Sequence, residues 1–244
     1  MLEIKSLKKT YIQSKENAFI ALNNVNLKVG KGEFISVMGS SGSGKTTLLN
    51  CISGFISSDS GDIILDQNSI LNIDDDTLAD IRQTKLGFVF QDFMLIDGLT
   101  VMENIHLPQI ITGQNVKLIN EKTEILLKTF GIYDLKNKYT NEISGGQKQR
   151  TSIARALANN PLILLADEPT GNLDSKSSGN VIEAFLEARN KLGATIFMVT
   201  HDTFAASHSD RIVVLKDGQI VNELLRTGSQ REFLNEILTF MKSW

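Results

Sequence analysis

The sequence predicts an α/β fold: a sheet buried on both faces, a smaller antiparallel β layer and a helical insertion. Three observations predict it. Phe34–Met38, Leu162–Ala166 and Thr195–Val199 read as apolar runs rather than alternating patterns, as strands covered on both faces do. Helix-like segments separate them. From about Asp92 to Ala158 the strand signal disappears, and Glu121–Phe130 ahead of Gly131 shows helical spacing with a glycine C-cap.

The 244 residues suffice for one large α/β domain with an insertion and are too few for two ordinary domains with linkers. With 41% hydrophobic and 22% charged residues, the composition is that of a packed globular protein. The expected division is a catalytic core with its β layer over 1–91 and 159–228, a helical subdomain over 92–158 and an amphipathic terminal helix over 229–244. Leu2–Leu7, Ala21–Val29 and Gly61–Leu65 read as short strands of the antiparallel layer, with Gln13–Asn17 looping out between the first two. Arg211–Leu215 is a further strand. Lys216-Asp217-Gly218-Gln219 then signals a hairpin, because Asp-Gly readily adopts positive φ. In the tail from Ser229 to Trp244, Phe233, Ile237, Phe240 and Met241 share one helical face. That face is expected to pack on its own domain.

A formal net charge of −3 supplies no basic excess for tracking phosphates along DNA or RNA. No nucleic-acid partner is expected. The single cysteine, Cys51, excludes an internal disulfide, fits a reducing compartment and reads as a small buried hydrophobe. Met1-Leu2-Glu3-Ile4-Lys5 does not open a charged leader with an apolar stretch behind it, and no window approaches the roughly 20 apolar residues of a membrane span. A cytoplasmic chain is expected.

Gly39-Ser40-Ser41-Gly42-Ser43-Gly44-Lys45-Thr46 matches G-x-x-x-x-G-K-[ST] between a predicted strand and a predicted helix. Its glycines let successive N–H groups converge on the β- and γ-phosphates while the helix aims its positive end at the same anion. Lys45 would reach those oxygens. The Thr46 hydroxyl would ligate Mg²⁺, a hard cation that takes oxygen ligands. By itself the loop defines a P-loop nucleotide-binding core and leaves kinases, GTPases and ATPases open.

Leu162–Ala166 runs into Asp167 and Glu168, at the strand edge where α/β sheets bind ligands. Asp167 suits Mg²⁺, directly or through water, and Glu168 suits a general base that polarises the attacking water. His201 follows Thr195–Val199 at the same kind of edge and would steady that water.

In Ile143-Ser144-Gly145-Gly146-Gln147-Lys148-Gln149-Arg150, Ser144 and Gln147 have capping-box spacing at the head of a helix expected to run to about Ala158. Glycines leave that helix end bare, so N–H groups, a hydroxyl and the helix dipole form a second anion site. One ATP seldom needs two unlinked phosphate sites in one chain.

With these segments in this order, the chain resembles the nucleotide-binding subunits of ABC transporters over nearly its whole length. The resemblance implies a RecA-like P-loop core in the ABC ATPase fold. It also implies an ATP-sandwich homodimer, with the P-loop of one copy facing Ser144, Gly145, Gly146 and Gln147 of the other. Nucleotide contacts then fall on Tyr11, stacked on adenine, and on Gly39, Ser40, Ser41, Gly42, Ser43, Gly44, Lys45, Thr46 and Thr47. Gln91, in Phe88-Val89-Phe90-Gln91, resembles the Q-loop glutamine that senses Mg²⁺ and couples to the membrane partner. Asn172, Leu173 and Asp174 occupy the D-loop position, with Gly171-Asn172 where many relatives have Ser-Ala. Catalysis is expected from Glu168, His201 and Gln91, and Mg²⁺ binding from Thr46, Gln91 and Asp167.

The block from Ala166 to Ser175 and the segment Leu86–Gln91 are similar to the macrolide-exporter and lipoprotein-release branch. Val199–Ser207 and the Phe233–Trp244 tail look like ATPases of bacitracin- and lantibiotic-type resistance modules of Gram-positive bacteria. That likeness implies a separate membrane permease, a place on the cytoplasmic face of the membrane and a link through the permease to a sensor kinase. The rivals are a macrolide-export or lipoprotein-release ATPase and a soluble ABC ATPase acting on nucleic acid. A P-loop kinase or GTPase does not explain the Ser-Gly-Gly helix head, and a non-hydrolysing subunit does not explain Lys45, Asp167, Glu168 and His201 together.

Overall fold

The computed structural model describes residues 1–14 and 17–242. In chain order they form β1 (Leu2–Ser14), β2 (Asn17–Val29), β3 (Phe34–Met38), α1 (Lys45–Ile52), β4 (Ser60–Leu65), β5 (Asn68–Ser69), α2 (Asp75–Thr84), β6 (Leu86–Val89), α3 (Val101–Ile111), α4 (Val116–Thr129), α5 (Gly145–Ala156), β7 (Ile163–Asp167), α6 (Ser175–Leu192), β8 (Ile196–Thr200), α7 (Thr203–Ala206), β9 (Arg211–Lys216), β10 (Gln219–Leu225) and α8 (Gln230–Lys242). No described helix is long and apolar enough to cross a membrane. The chain divides into two compact units, Met1–Leu78 with Phe197–Trp244, and Ala79–Ile196.

In the first unit an antiparallel sheet has the order β2-β1-β4-β5, while β3 pairs in parallel with β9 and β9 antiparallel with β10. Strands β1 and β2 are longer than the Leu2–Leu7 and Ala21–Val29 expected of them. Polar residues such as Lys8 and Lys9 break the apolar pattern, but cross-strand bonding continues and Ser14 pairs with Asn17. The expected loop at Gln13–Asn17 is therefore strand at Gln13, Ser14 and Asn17, and Lys15 and Glu16 lie outside the described residues. Every residue of β3 is buried. The hairpin expected at Asp217-Gly218 is present, with φ of 49° and 74° at the two turn residues, as a type I′ turn demands. Its Gly218 N–H donates to the Ser43 carbonyl at 3.0 Å and its carbonyl accepts from Asn23 N–H at 2.8 Å. The turn thus braces the start of α1.

Phe233 and Ile237 of α8 are buried in one cluster with Met38, Ala206, Ile212 and Val214, and Phe240 and Met241 pack on its edge. The apolar stripe of the tail is spent on the chain's own core, and Trp244 lies outside the described residues. Phe233→Ala is expected to cost about 3–5 kcal/mol in urea or thermal unfolding. A loss under about 1 kcal/mol would mean that α8 is not part of this core.

In the second unit β6 and β7 run parallel, with Leu86 opposite Ile163 and Val89 opposite Ala166. Strand β6 was legible only as part of a motif. It is four residues long and contains Gly87, where a Cβ would lie 2.5 Å from the Ala156 carbonyl of α5. Close helix approach, rather than strand propensity, selects that glycine. Three helices fill the stretch without strand signal: α3 starts on a Thr100–Glu103 capping box, α4 ends ahead of Gly131 at φ 60°, and α5 starts on Ser144. The α5 helix stops at Ala156, two residues short of the expected Ala158.

Candidate nucleotide site

The loop from Gly39 to Thr46 runs from buried β3 into α1. Only glycine fits at Gly39, because a Cβ would stand 2.2 Å from the Leu215 carbonyl and 2.5 Å from Ser43 Oγ. Gly42 and Gly44 take φ of 80° and 106°, the left-handed region open to glycine. Lys45 is only 8% exposed. Its Nζ donates to the Gly39 carbonyl at 2.8 Å and to the Ser40 carbonyl at 3.0 Å, so the ammonium folds back over the loop. No side chain caps the N-terminus of α1. Ser40, Ser41, Gly42 and Thr46 are exposed and Thr47 is half-buried.

These features fit a nucleotide phosphate. The N-cap residue Gly44 brings no side chain over the helix end, a cation lies across the cradle, and the buried Ser43 Oγ has no hydrogen-bond partner among the described residues. They also fit Mg²⁺ carried with the nucleotide. Among the described residues no three His, Cys, Asp or Glu side chains gather into a metal cage; the exposed Thr46 hydroxyl beside the loop is an oxygen of the kind a hard cation takes.

Asp167 ends β7 and Glu168 follows it, both half-buried. Glu168 has φ 43°, a left-handed backbone costing a side-chain-bearing residue about 1–2 kcal/mol. The Gly171 N–H donates to its carbonyl at 3.0 Å and closes the turn. His201 follows β8 and is exposed. The next residue, Asp202, caps α7 by accepting from Phe204 N–H at 2.8 Å.

The second unit brings the Q-loop, D-loop and signature residues together. The β6–β7 register sets Val89 opposite Ala166, two residues ahead of Gln91 and Glu168. Gln91 Nε2 donates to Asn172 Oδ1 at 2.9 Å, and Asn172 Nδ2 donates to Asp92 Oδ1 at 2.7 Å. Ser144 and Gln147 form the expected capping box: Ser144 N–H donates to Gln147 Oε1 at 2.9 Å, and Gln147 N–H to Ser144 Oγ at 3.4 Å. A Cβ on Gly145 would meet Leu173 Cδ2 at 2.9 Å, so the signature lies against the D-loop of its own chain. Asp174 caps α6, accepting from Lys176 N–H, Ser177 N–H and Ser177 Oγ. The Ser177 bonds hold its carboxyl below the usual range.

Two supporting residues escaped sequence reading. Gln149 is fully buried in α5, and its Nε2 donates to the Phe90 carbonyl at 3.1 Å and the Pro169 carbonyl at 2.8 Å. It ties the signature helix to the strand ends before Gln91 and after Glu168. Its signal was a polar side chain on the buried stripe Gly146, Gln149, Ile153. Arg155 donates to the carbonyls of Phe93 and Met94, which have φ of 60° and 48°. Burial lowers its guanidinium pKa, and it holds this two-residue left-handed turn behind Gln91.

Tyr11 stands on β1 opposite Phe19, 39% exposed, and is not a core residue. Lys9 Nζ lies 5.8 Å from its ring centre. Cys51 is buried, and burial pushes its thiol up to about 11. It is a core hydrophobe, as expected.

A family model described as ABC transporter matches residues 22–171. The bacitracin export ATP-binding protein BceA of Halalkalibacterium halodurans is 45% identical over 239 residues, covering 98% of this chain and 94% of that protein. The ABC transporter ATP-binding protein YxdL of Bacillus subtilis is 44% identical, covering 98% and 92%. The macrolide export ATP-binding/permease protein MacB of Mannheimia succiniciproducens is 40% identical, but the match covers 97% of this chain and only 36% of MacB. Among solved structures, the dimeric post-hydrolysis state of the ATP-binding cassette MJ0796 with ADP and Pi superposes at a TM-score of 0.83, with 40% identity, over 94% of this chain and all of that one.

Proposed function

Because the chain belongs to the ABC transporter family of ATP-hydrolysing subunits, we propose that it powers a separate membrane permease of the bacitracin- and lantibiotic-type peptide resistance kind. One observation carries this reading. The 45% identity to BceA extends over nearly the whole of both chains, whereas in MacB the same stretch accounts for about a third of a chain named as both ATPase and permease. In this reading the subunit sits on the cytoplasmic face of the membrane through its permease and signals through it to a sensor kinase. It works as a homodimer around two ATP molecules.

The roles follow from the residues. Backbone N–H groups of 39–47 and Lys45 would hold the β- and γ-phosphates, Tyr11 would stack on adenine, and Thr46, Asp167 and Gln91 are the residues that would supply oxygens to Mg²⁺. Bound Mg²⁺ neutralises charge on the phosphates. Glu168 takes a proton from the attacking water at its carboxylate and His201 orients that water. Ser144, Gly145, Gly146 and Gln147 close on the nucleotide of the partner copy, with Asn172, Leu173 and Asp174 beside it. The subdomain 92–158 passes the change to the permease. A groove of about 260 Å³ lined by Phe88, Phe90, Leu107 and Ile111 offers a permease loop an apolar seat beside the Q-loop.

Ser144→Arg is expected to abolish turnover while ATP binding to the single chain stays within about twofold, since the bulky cation blocks only the closing contact. Persistent hydrolysis would contradict that contact. The function is tested by replacing the gene with a Glu168→Gln copy in a strain carrying its permease, then measuring inhibitory concentrations of bacitracin, a lantibiotic and a macrolide. Sensitisation to the peptides alone supports the proposal. Sensitisation to the macrolide alone supports the second reading, favoured by the 40% identity to MacB.

A further inference from the structure

We propose that Asn172 is a positioning residue that fixes which end of the Gln91 amide is offered to Mg²⁺, through a one-way chain of hydrogen bonds anchored on Asp92. The inference rests on the reading of Gln91 as a Mg²⁺-sensing residue.

A side-chain amide has a donor end and an acceptor end, and only the oxygen suits a hard cation. A glutamine free to flip by 180° would present the wrong end half of the time. Here the direction is set by chemistry. The Asp92 carboxylate only accepts, so Asn172 must turn its NH₂ toward it, as in the 2.7 Å bond from Nδ2 to Asp92 Oδ1. Asn172 then has only its carbonyl left for Gln91, which must answer with its own NH₂, as in the 2.9 Å bond from Nε2 to Asn172 Oδ1. Gln91 Oε1 is left as the end that Asn172 does not engage. The polarity passes from residue 92 to 172 to 91 without ambiguity.

Gly171 makes the arrangement possible. A Cβ there would stand 3.0 Å from Gln91 Nε2 and 3.1 Å from its Cδ, tighter than ordinary contact. A serine would crowd the Gln91 amide at its bond to Asn172, and an alanine at 172 would have no amide to offer. Gly171-Asn172 in place of Ser-Ala is therefore one paired adaptation. The frame behind it is firm: Gln149 holds the carbonyls of Phe90, just before Gln91, and of Pro169, two residues before Gly171.

The test measures Mn²⁺ affinity by electron paramagnetic resonance on the full chain with saturating ATP, in a Glu168→Gln background that slows turnover. Asn172→Leu, Asp92→Asn and the pair Gly171→Ser with Asn172→Ala are each expected to weaken Mn²⁺ about three- to tenfold, the scale of one lost neutral hydrogen bond. Metal-free ATP affinity should stay within about twofold. Asp92→Glu, which still only accepts, should restore most of the affinity that Asp92→Asn loses. A purely structural role would not separate those two variants. In nucleotide-free protein, the Gln91 side-chain NH₂ signal, assigned by its loss in Gln91→Ala, should exchange more slowly in wild type than in Asn172→Leu or Asp92→Asn. If Gln91→Ala weakens Mn²⁺ while Asn172→Leu and Asp92→Asn do not, the proposal is overturned and the role of Gln91 stands. If Gln91→Ala itself leaves Mn²⁺ affinity unchanged, that role fails first.

Discussion

Glu168→Gln is expected to lower ATP turnover by about 10²- to 10⁴-fold, the usual contribution of a positioned general base, while ATP binding stays within about twofold. The amide has nearly the shape of the carboxylate, so the turn closed by the Gly171 N–H to Glu168 carbonyl bond should survive. It cannot accept the proton of the attacking water. With hydrolysis blocked and the phosphate cradle untouched, ATP should hold two copies together, visible as a dimer by light scattering at saturating ATP and a monomer without it. A variant that keeps more than a tenth of wild-type turnover would remove Glu168 from the base role. One that stays monomeric under ATP would count against the sandwich.

Lys45→Ala is expected to weaken ATP binding itself by about 10- to 100-fold, since a hydrogen bond to a charged partner is worth about 1.5–3 kcal/mol. Lys45 spans the Gly39 and Ser40 carbonyls. Its loss would remove this strut across the loop together with the phosphate contact proposed for it. Isothermal titration with ATP and Mg²⁺ reads the effect, and an unchanged dissociation constant would contradict the assignment. The loss should appear at single-chain concentrations, whereas the Ser144→Arg defect appears only in turnover. The two variants therefore separate binding in one chain from closure across two.

The most readable elements were those whose physics is local. A buried strand, a glycine-rich turn and a helix start occupy consecutive residues at Phe34–Thr46, so the P-loop could be placed to the residue and the structure keeps the Gly39–Lys45 geometry it requires. The Ser144–Gln147 capping box and the Asp217-Gly218 turn span four residues or fewer and were legible for the same reason. The lengths of β1 and β2 were not, because their outer halves, where Tyr11, Ile12, Phe19 and Ile20 are exposed, are held by cross-strand bonds rather than by burial of an apolar face. Gln149 and Arg155 sit in a helix that was readable, but their partners at Phe90, Phe93, Met94 and Pro169 are set by where β6 and β7 end.

By itself the sequence determined the motifs: a glycine-rich loop between a strand and a helix, a strand ending in two carboxylates, a histidine after another strand and a helix head with a serine-glutamine capping box, in an order that points to one family. Each of these is a short run whose backbone preferences and side-chain inventory are intrinsic to it. Only the tertiary structure decided which distant residues support the site. The bond from Gln91 to Asn172 joins residues 81 positions apart, and its direction depends on Asp92 accepting the next bond. The tail was expected to pack its apolar face on its own domain, but the neighbours of Phe233 and Ile237 there, Met38 and Val214 among them, are fixed only by the tertiary structure. Periodicity states that a face must be buried or an amide satisfied, while the partner is chosen by the packing within each unit, which brings together residues that no local pattern relates.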